Sequence, residues 1–90
     1  MGQPAARIGD LHVCPLVPPH PPVSPVTSGE GSVLIGGSPA ARVGDSATCD
    51  VIATGSGSVL IGGSPAARLG DATAHGGVII TGCDSVLIGG

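Results

Sequence analysis

The tract GSVLIGGSPAARVGD over residues 31–45 recurs as GSVLIGGSPAARLGD over residues 57–71, with Val43 against Leu69 the single difference. This repeat constrains the fold more than any other feature, because near-identical units are built as the same local structure. The chain ends carry a third copy in two pieces, SVLIGG at residues 85–90 and QPAARIGD at residues 3–10. Laid tail to head, they restore the unit. Three equivalent parts, one split between the termini, predict a closed pseudo-threefold object in which Met1 and Gly2 lie near Gly89 and Gly90.

Each SVLIGG run is short, β-branched and closed by Gly-Gly, the pattern of a strand entering a tight turn. Alternation then places Val33 with Ile35, Val59 with Ile61 and Val86 with Ile88 on inward faces, and the intervening leucines on the other side. The prolines that follow, Pro39, Pro65 and Pro4, cannot donate to a ladder and suit the start or edge of a second strand. Arg and Asp stand three apart in Arg7 and Asp10, Arg42 and Asp45, and Arg68 and Asp71, a spacing that allows a structural pair across a glycine bend. Glycine and proline recur too often for any sustained helical period.

A 90-residue chain forms one small domain and buries a limited share of its surface. Here Phe, Trp and Tyr are absent, so Val, Ile, Leu and Ala supply the whole core and an added constraint is expected. Only 10% of the chain is charged and 41% is hydrophobic, which favours order despite 17 glycines and nine prolines. The net charge of −3 and three arginines give no basic patch for phosphates, and no aromatic platform exists for bases, which argues against nucleic acid. No apolar run has the length of a membrane helix, and the N-terminus lacks the pattern of a Sec signal.

The units diverge between each Gly-Asp and the next SVLIGG, and there the metal-type side chains gather: His12, Cys14 and His20 in the first segment, Cys49 in the second and His75 in the third. Cys14, Cys49 and His75 each stand four residues after the aspartate, so threefold closure brings these positions together. Imidazole and thiolate donors suit a structural zinc, which supplies folding free energy directly. The same residues also permit a Cys14–Cys49 disulfide, buried apolar cysteines and a solvated His20 among the prolines. Cys83 replaces Ser56 of the previous unit and is given no role. A hydrolase would need a nucleophile and base beside a pocket, or an open metal position with a nearby Glu. Glu30 is the only Glu, so the chain is read as a non-enzyme.

The three PAAR segments at Pro4, Pro39 and Pro65, each followed by Gly-Asp, resemble the proline-alanine-alanine-arginine repeat proteins of type VI secretion systems over essentially the whole chain. The resemblance implies an all-β fold, a small pseudo-threefold cone of β-hairpins built from three PAAR repeats, with a zinc-stabilised apex. It implies a single domain over residues 1–90 with the third repeat split between 85–90 and 3–10, and no effector extension. The implied imidazole ligands are His12, His20 and His75. Cys49 is the implied thiolate, with Cys14 as its rival. Such a protein is a structural tip that caps and sharpens the VgrG trimeric spike, one chain per trimer, with effector proteins as further partners and the target membrane met only during puncture. It would reside in the bacterial cytoplasm until firing and leave on the spike. The competing reading is a metal-binding cap of a related contractile particle, such as a phage tail spike.

Overall fold

The structure, a computed structural model, describes residues 2–13, 23–48 and 50–89. Among these the chain is all-β: β1 (Gln3–Ala5), β2 (Leu11–Val13), β3 (Val23–Pro25), β4 (Glu30–Ile35), β5 (Ser38–Ala40), β6 (Leu60–Ile61), β7 (Ser64–Pro65), β8 (Val78–Ile79) and β9 (Cys83–Ile88), with no helix. Hairpin β4–β5 pairs Ile35 with Ser38 and Leu34 with Pro39, and β6–β7 repeats this as Ile61 with Ser64 and Leu60 with Pro65. The corresponding third pair joins opposite ends of the chain, β9 with β1, through Ile88 with Gln3 and Leu87 with Pro4. Gly36 and Gly37, and Gly62 and Gly63, all hold positive φ, as the two-residue turn between these twisted strands requires. The molecule measures 34 × 23 × 23 Å, one long axis and two equal short ones, consistent with a small cone.

The PAAR tetrapeptide acquires a physical meaning position by position. The proline carbonyl accepts a hydrogen bond from the neighbouring unit: Ile8 N–H donates to Pro39, Val43 to Pro65 and Leu69 to Pro4, at 2.8–3.0 Å. The first alanines, Ala5, Ala40 and Ala66, are buried with Ile35, Ile61 and Ile88 in one apolar layer. The second alanines close a ring around the axis. Ala6 N–H donates to Ala67 O, Ala67 N–H to Ala41 O and Ala41 N–H to Ala6 O, each at 3.0 Å. Three backbones this close leave room for a methyl group and little else. Val26, Ile52 and Ile79 form the next apolar layer with these alanines and Ala47.

The arginine of each motif turns back on its own unit. Asp10, Asp45 and Asp71 accept from the backbone N–H of Arg7, Arg42 and Arg68 at 2.7–2.8 Å and from both Nε and Nη2 of the same residues. Those bonds hold each guanidinium above its ordinary pKa. The bend requires Gly9, Gly44 and Gly70 at φ of 95–96°. A hydroxyl from the adjacent unit, Thr81, Ser28 or Thr54, then bonds each aspartate and accepts from the next backbone N–H. Each carboxylate therefore ties two units together. Replacing Asp45 with Ala leaves the Arg42 N–H and the Ser28 hydroxyl without this acceptor. The expected loss is about 2 kcal/mol, or roughly 10 °C in a thermal melt.

The inward alternation read from SVLIGG holds most firmly at the isoleucines, which are buried, while Leu34, Leu60 and Leu87 face outward. Val33 is partly buried, but Val59 and Val86 are exposed, contrary to the expectation that they share the interior. The reason is packing: with alanine and isoleucine filling the narrow axis, no volume remains for a second branched residue from each strand.

Candidate metal centre

Beyond the Val26, Ile52 and Ile79 layer, the divergent segments converge. Strand β2 lies between β3 and β8, pairing His12 with Ser24 on one side and with Ile79 on the other. His12 thus sits in a strand held from both edges, and its side chain is fully buried. The residues two after each Gly-Asp aspartate, His12, Ala47 and Thr73, are all buried.

The histidine is oriented before any ligand arrives. Nδ1 of His12 lies 3.0 Å from the Ser24 carbonyl, to which it donates, leaving Nε2 as the nitrogen with a free lone pair. Nε2 is buried and has no hydrogen-bond partner among the described residues. It faces Oδ2 of Asp50 at 3.6 Å, and that oxygen likewise lacks a hydrogen bond there. The other carboxylate oxygen is occupied: Oδ1 accepts from the Val51 N–H at 2.8 Å and from the His75 N–H at 3.1 Å. His75 Nδ1 stands 3.8 Å from the same Oδ1. Burial would push the Asp50 carboxyl up, but the nearby Thr73 hydroxyl, these two N–H groups and the His75 imidazole outweigh it and hold the group below the ordinary carboxylate value.

Backbone strain is concentrated at the same place. Ala47 N–H donates to the Asp50 carbonyl at 2.8 Å, closing a turn in which Thr48 takes φ of 67°. A β-branched residue there costs about 1–3 kcal/mol. The Thr48 hydroxyl, which donates to the Pro25 carbonyl at 2.8 Å, helps to hold it.

The structure therefore brings His12 and His75 together around one carboxylate. His20, Cys49 and its rival Cys14 lie outside the described residues, as does the alternative Cys14–Cys49 disulfide. Among the described residues no group of three or more His, Cys, Asp or Glu is arranged to hold a metal ion. The donor chemistry nonetheless fits a metal: an imidazole that donates its Nδ1–H to a backbone carbonyl and keeps Nε2 buried without a hydrogen bond is oriented as a metal-binding histidine usually is. Sequence reasoning missed Asp50 and the Ser24 carbonyl. A signal for Asp50 was present, since it is the one acidic residue between residues 46 and 56, where the other units have Pro15 and Gly76.

The sequence is similar to the PAAR motif family, whose profile matches two overlapping stretches, residues 1–50 and 17–81. No curated protein matches the chain significantly.

Proposed function

This chain belongs to the PAAR motif family, and from that premise we propose that it is the tip of a trimeric VgrG spike in a type VI secretion system. The observation that carries the reading is the closure of one chain into three equivalent strand pairs, which present Leu34, Leu60 and Leu87 outward with exposures of 61, 61 and 60%. One chain with threefold repetition meets three identical subunits without a symmetry mismatch, and equal apolar contacts suit an end that is itself threefold. The work of such a tip is mechanical, and no catalytic role is assigned to it. It sharpens the spike for passage through a target membrane, leaves the bacterial cytoplasm on that spike, and offers effector proteins a site of attachment.

A zinc ion is proposed to close the apex through His12 and His75, with His20 and Cys49, or Cys14 in place of Cys49, completing the set. When bound, zinc supplies a non-redox cross-link whose binding free energy adds to folding. The chain's own groups prepare for it: Ser24 fixes the His12 ring, and Asp50 anchors the backbone of His75.

Copurification with a VgrG trimer tests the partner, with one chain per trimer expected. The triple variant Leu34→Asp, Leu60→Asp and Leu87→Asp is expected to lose binding by more than about 100-fold while keeping its melting temperature, since these side chains are outside the core. Three chains per trimer, or unchanged binding by the triple variant, would defeat the capping model.

A further inference from the structure

We infer that Asp50 is itself a ligand of the apex metal, binding through Oδ2 beside His12 Nε2. The inference rests on the metal reading above and puts an oxygen donor at one of the four positions of a set expected to contain nitrogen and sulfur alone.

A cation held between these two groups accounts for the geometry of the pair. With its hydrogen on Nδ1 and committed to Ser24, His12 presents a lone pair at Nε2, and the carboxylate presents another at Oδ2. Two acceptors thus face each other, and each lacks a hydrogen-bond partner among the described residues. Buried acceptors are normally satisfied, and an uncompensated pair is disfavoured both by desolvation and by mutual repulsion. Their separation of 3.6 Å is too long for a direct hydrogen bond. It is close to the roughly 3.3–3.5 Å that a tetrahedral zinc imposes between donors about 2.0–2.2 Å from it.

The aim of Oδ2 is built into the backbone. The Val51 and His75 N–H groups both take Oδ1, so Oδ2 is the oxygen left to face His12. The strained φ of Thr48 belongs to the turn that carries Asp50, as does the bond from Ala47 N–H to the Asp50 carbonyl. Strain held in place by surrounding contacts is a feature of ligand-binding turns. Charge gives a further reason. A divalent ion with neutral imidazoles and one thiolate keeps a net positive charge inside the protein, which the Asp50 carboxylate neutralises.

The rival account is a metal-free ion pair between protonated His12 and Asp50. Measurements on the full chain, Asp50→Ala and Asp50→Asn separate the two: zinc content, zinc affinity by chelator competition, Co(II) absorption, and melting with zinc and with chelator. One zinc per wild-type chain is expected. Asp50→Ala is expected to bind zinc more than about 100-fold more weakly, beyond the 10–100-fold typical of an outer-shell partner, and its Co(II) bands should shift. Its melting deficit should be larger with zinc than with chelator, where only the loss of the bonds from the Val51 and His75 N–H groups remains. Asp50→Asn keeps the side-chain shape and carries the test through the Co(II) bands if Asp50→Ala does not fold. Wild-type affinity and unshifted Co(II) bands in these variants would overturn the ligand assignment and leave the metal reading standing. A melting deficit of the same size with zinc and with chelator would also overturn the ligand assignment, leaving Asp50 to act through its bonds to Val51 and His75 and its contact with His12. A wild-type chain that binds no zinc would overturn the metal reading itself.

Discussion

Removal of zinc by a chelator is expected to lower the melting temperature by several tens of degrees, because a bound zinc would contribute on the order of 10 kcal/mol to a domain of this size. The described core explains the size of the effect. Seven of its thirteen buried apolar residues are alanines, which bring little apolar area, and the remainder are five isoleucines and Val26. Beyond the Val26, Ile52 and Ile79 layer the buried side chains turn polar: His12, Asp50 and Thr73. His12 Nε2, Asp50 Oδ2 and Thr73 Oγ1 there have no hydrogen-bond partner among the described residues. Chelation should accordingly remove hydrogen-exchange protection first at the backbone of His12 and His75, while the Ala6, Ala41 and Ala67 ring holds longer. A melt that is unchanged, with the metal verifiably gone, would eliminate zinc as the constraint on this fold.

The second large effect is expected from enlarging an axial alanine. Ala41→Leu should cost more than about 3 kcal/mol, roughly 15 °C or more, measured by thermal or urea unfolding with zinc present. Ala41 is fully buried, and its N–H and C=O are both committed to the ring, to Ala6 and from Ala67 at 3.0 Å. The side chain cannot swing outward without breaking those bonds, and the two facing alanines leave no volume on the axis. Val43→Leu provides the control. Its counterpart Leu69 already occupies the equivalent place in the next unit, and a change within about 0.5 kcal/mol is expected. If Ala41→Leu were as mild as the control, the ring would not be the tight axial constriction described above.

The repeat made much of the framework legible before any coordinates. SVLI followed by Gly-Gly reads as strand and turn because the glycines at 36–37 and 62–63 need positive φ, and the Arg and Asp pairs follow from three-residue spacing across a glycine. The apex was legible only in part. Spacing counted from the aspartate drew attention to the fourth position, where His75 lies. Yet it is the second position that is buried in all three units, where His12, Ala47 and Thr73 share no chemical type that counting could find. Asp50 escaped for a related reason: an aspartate beside a cysteine in a loop reads as solvated surface, and burial is a property of how neighbouring units meet.

By itself the sequence determined the threefold plan, since near-identical segments carry the same backbone preferences, and the halves of a repeat at the two ends can complete it by pairing. It also supplied the donor types that a closing metal would need. The tertiary structure alone decided which valines the narrow axis excludes, why the motif requires two alanines in succession, and which carboxylate turns inward to face His12. Those outcomes depend on distances between segments far apart in the chain, where volume around a shared axis and the satisfaction of buried polar atoms select among arrangements that local sequence leaves equal.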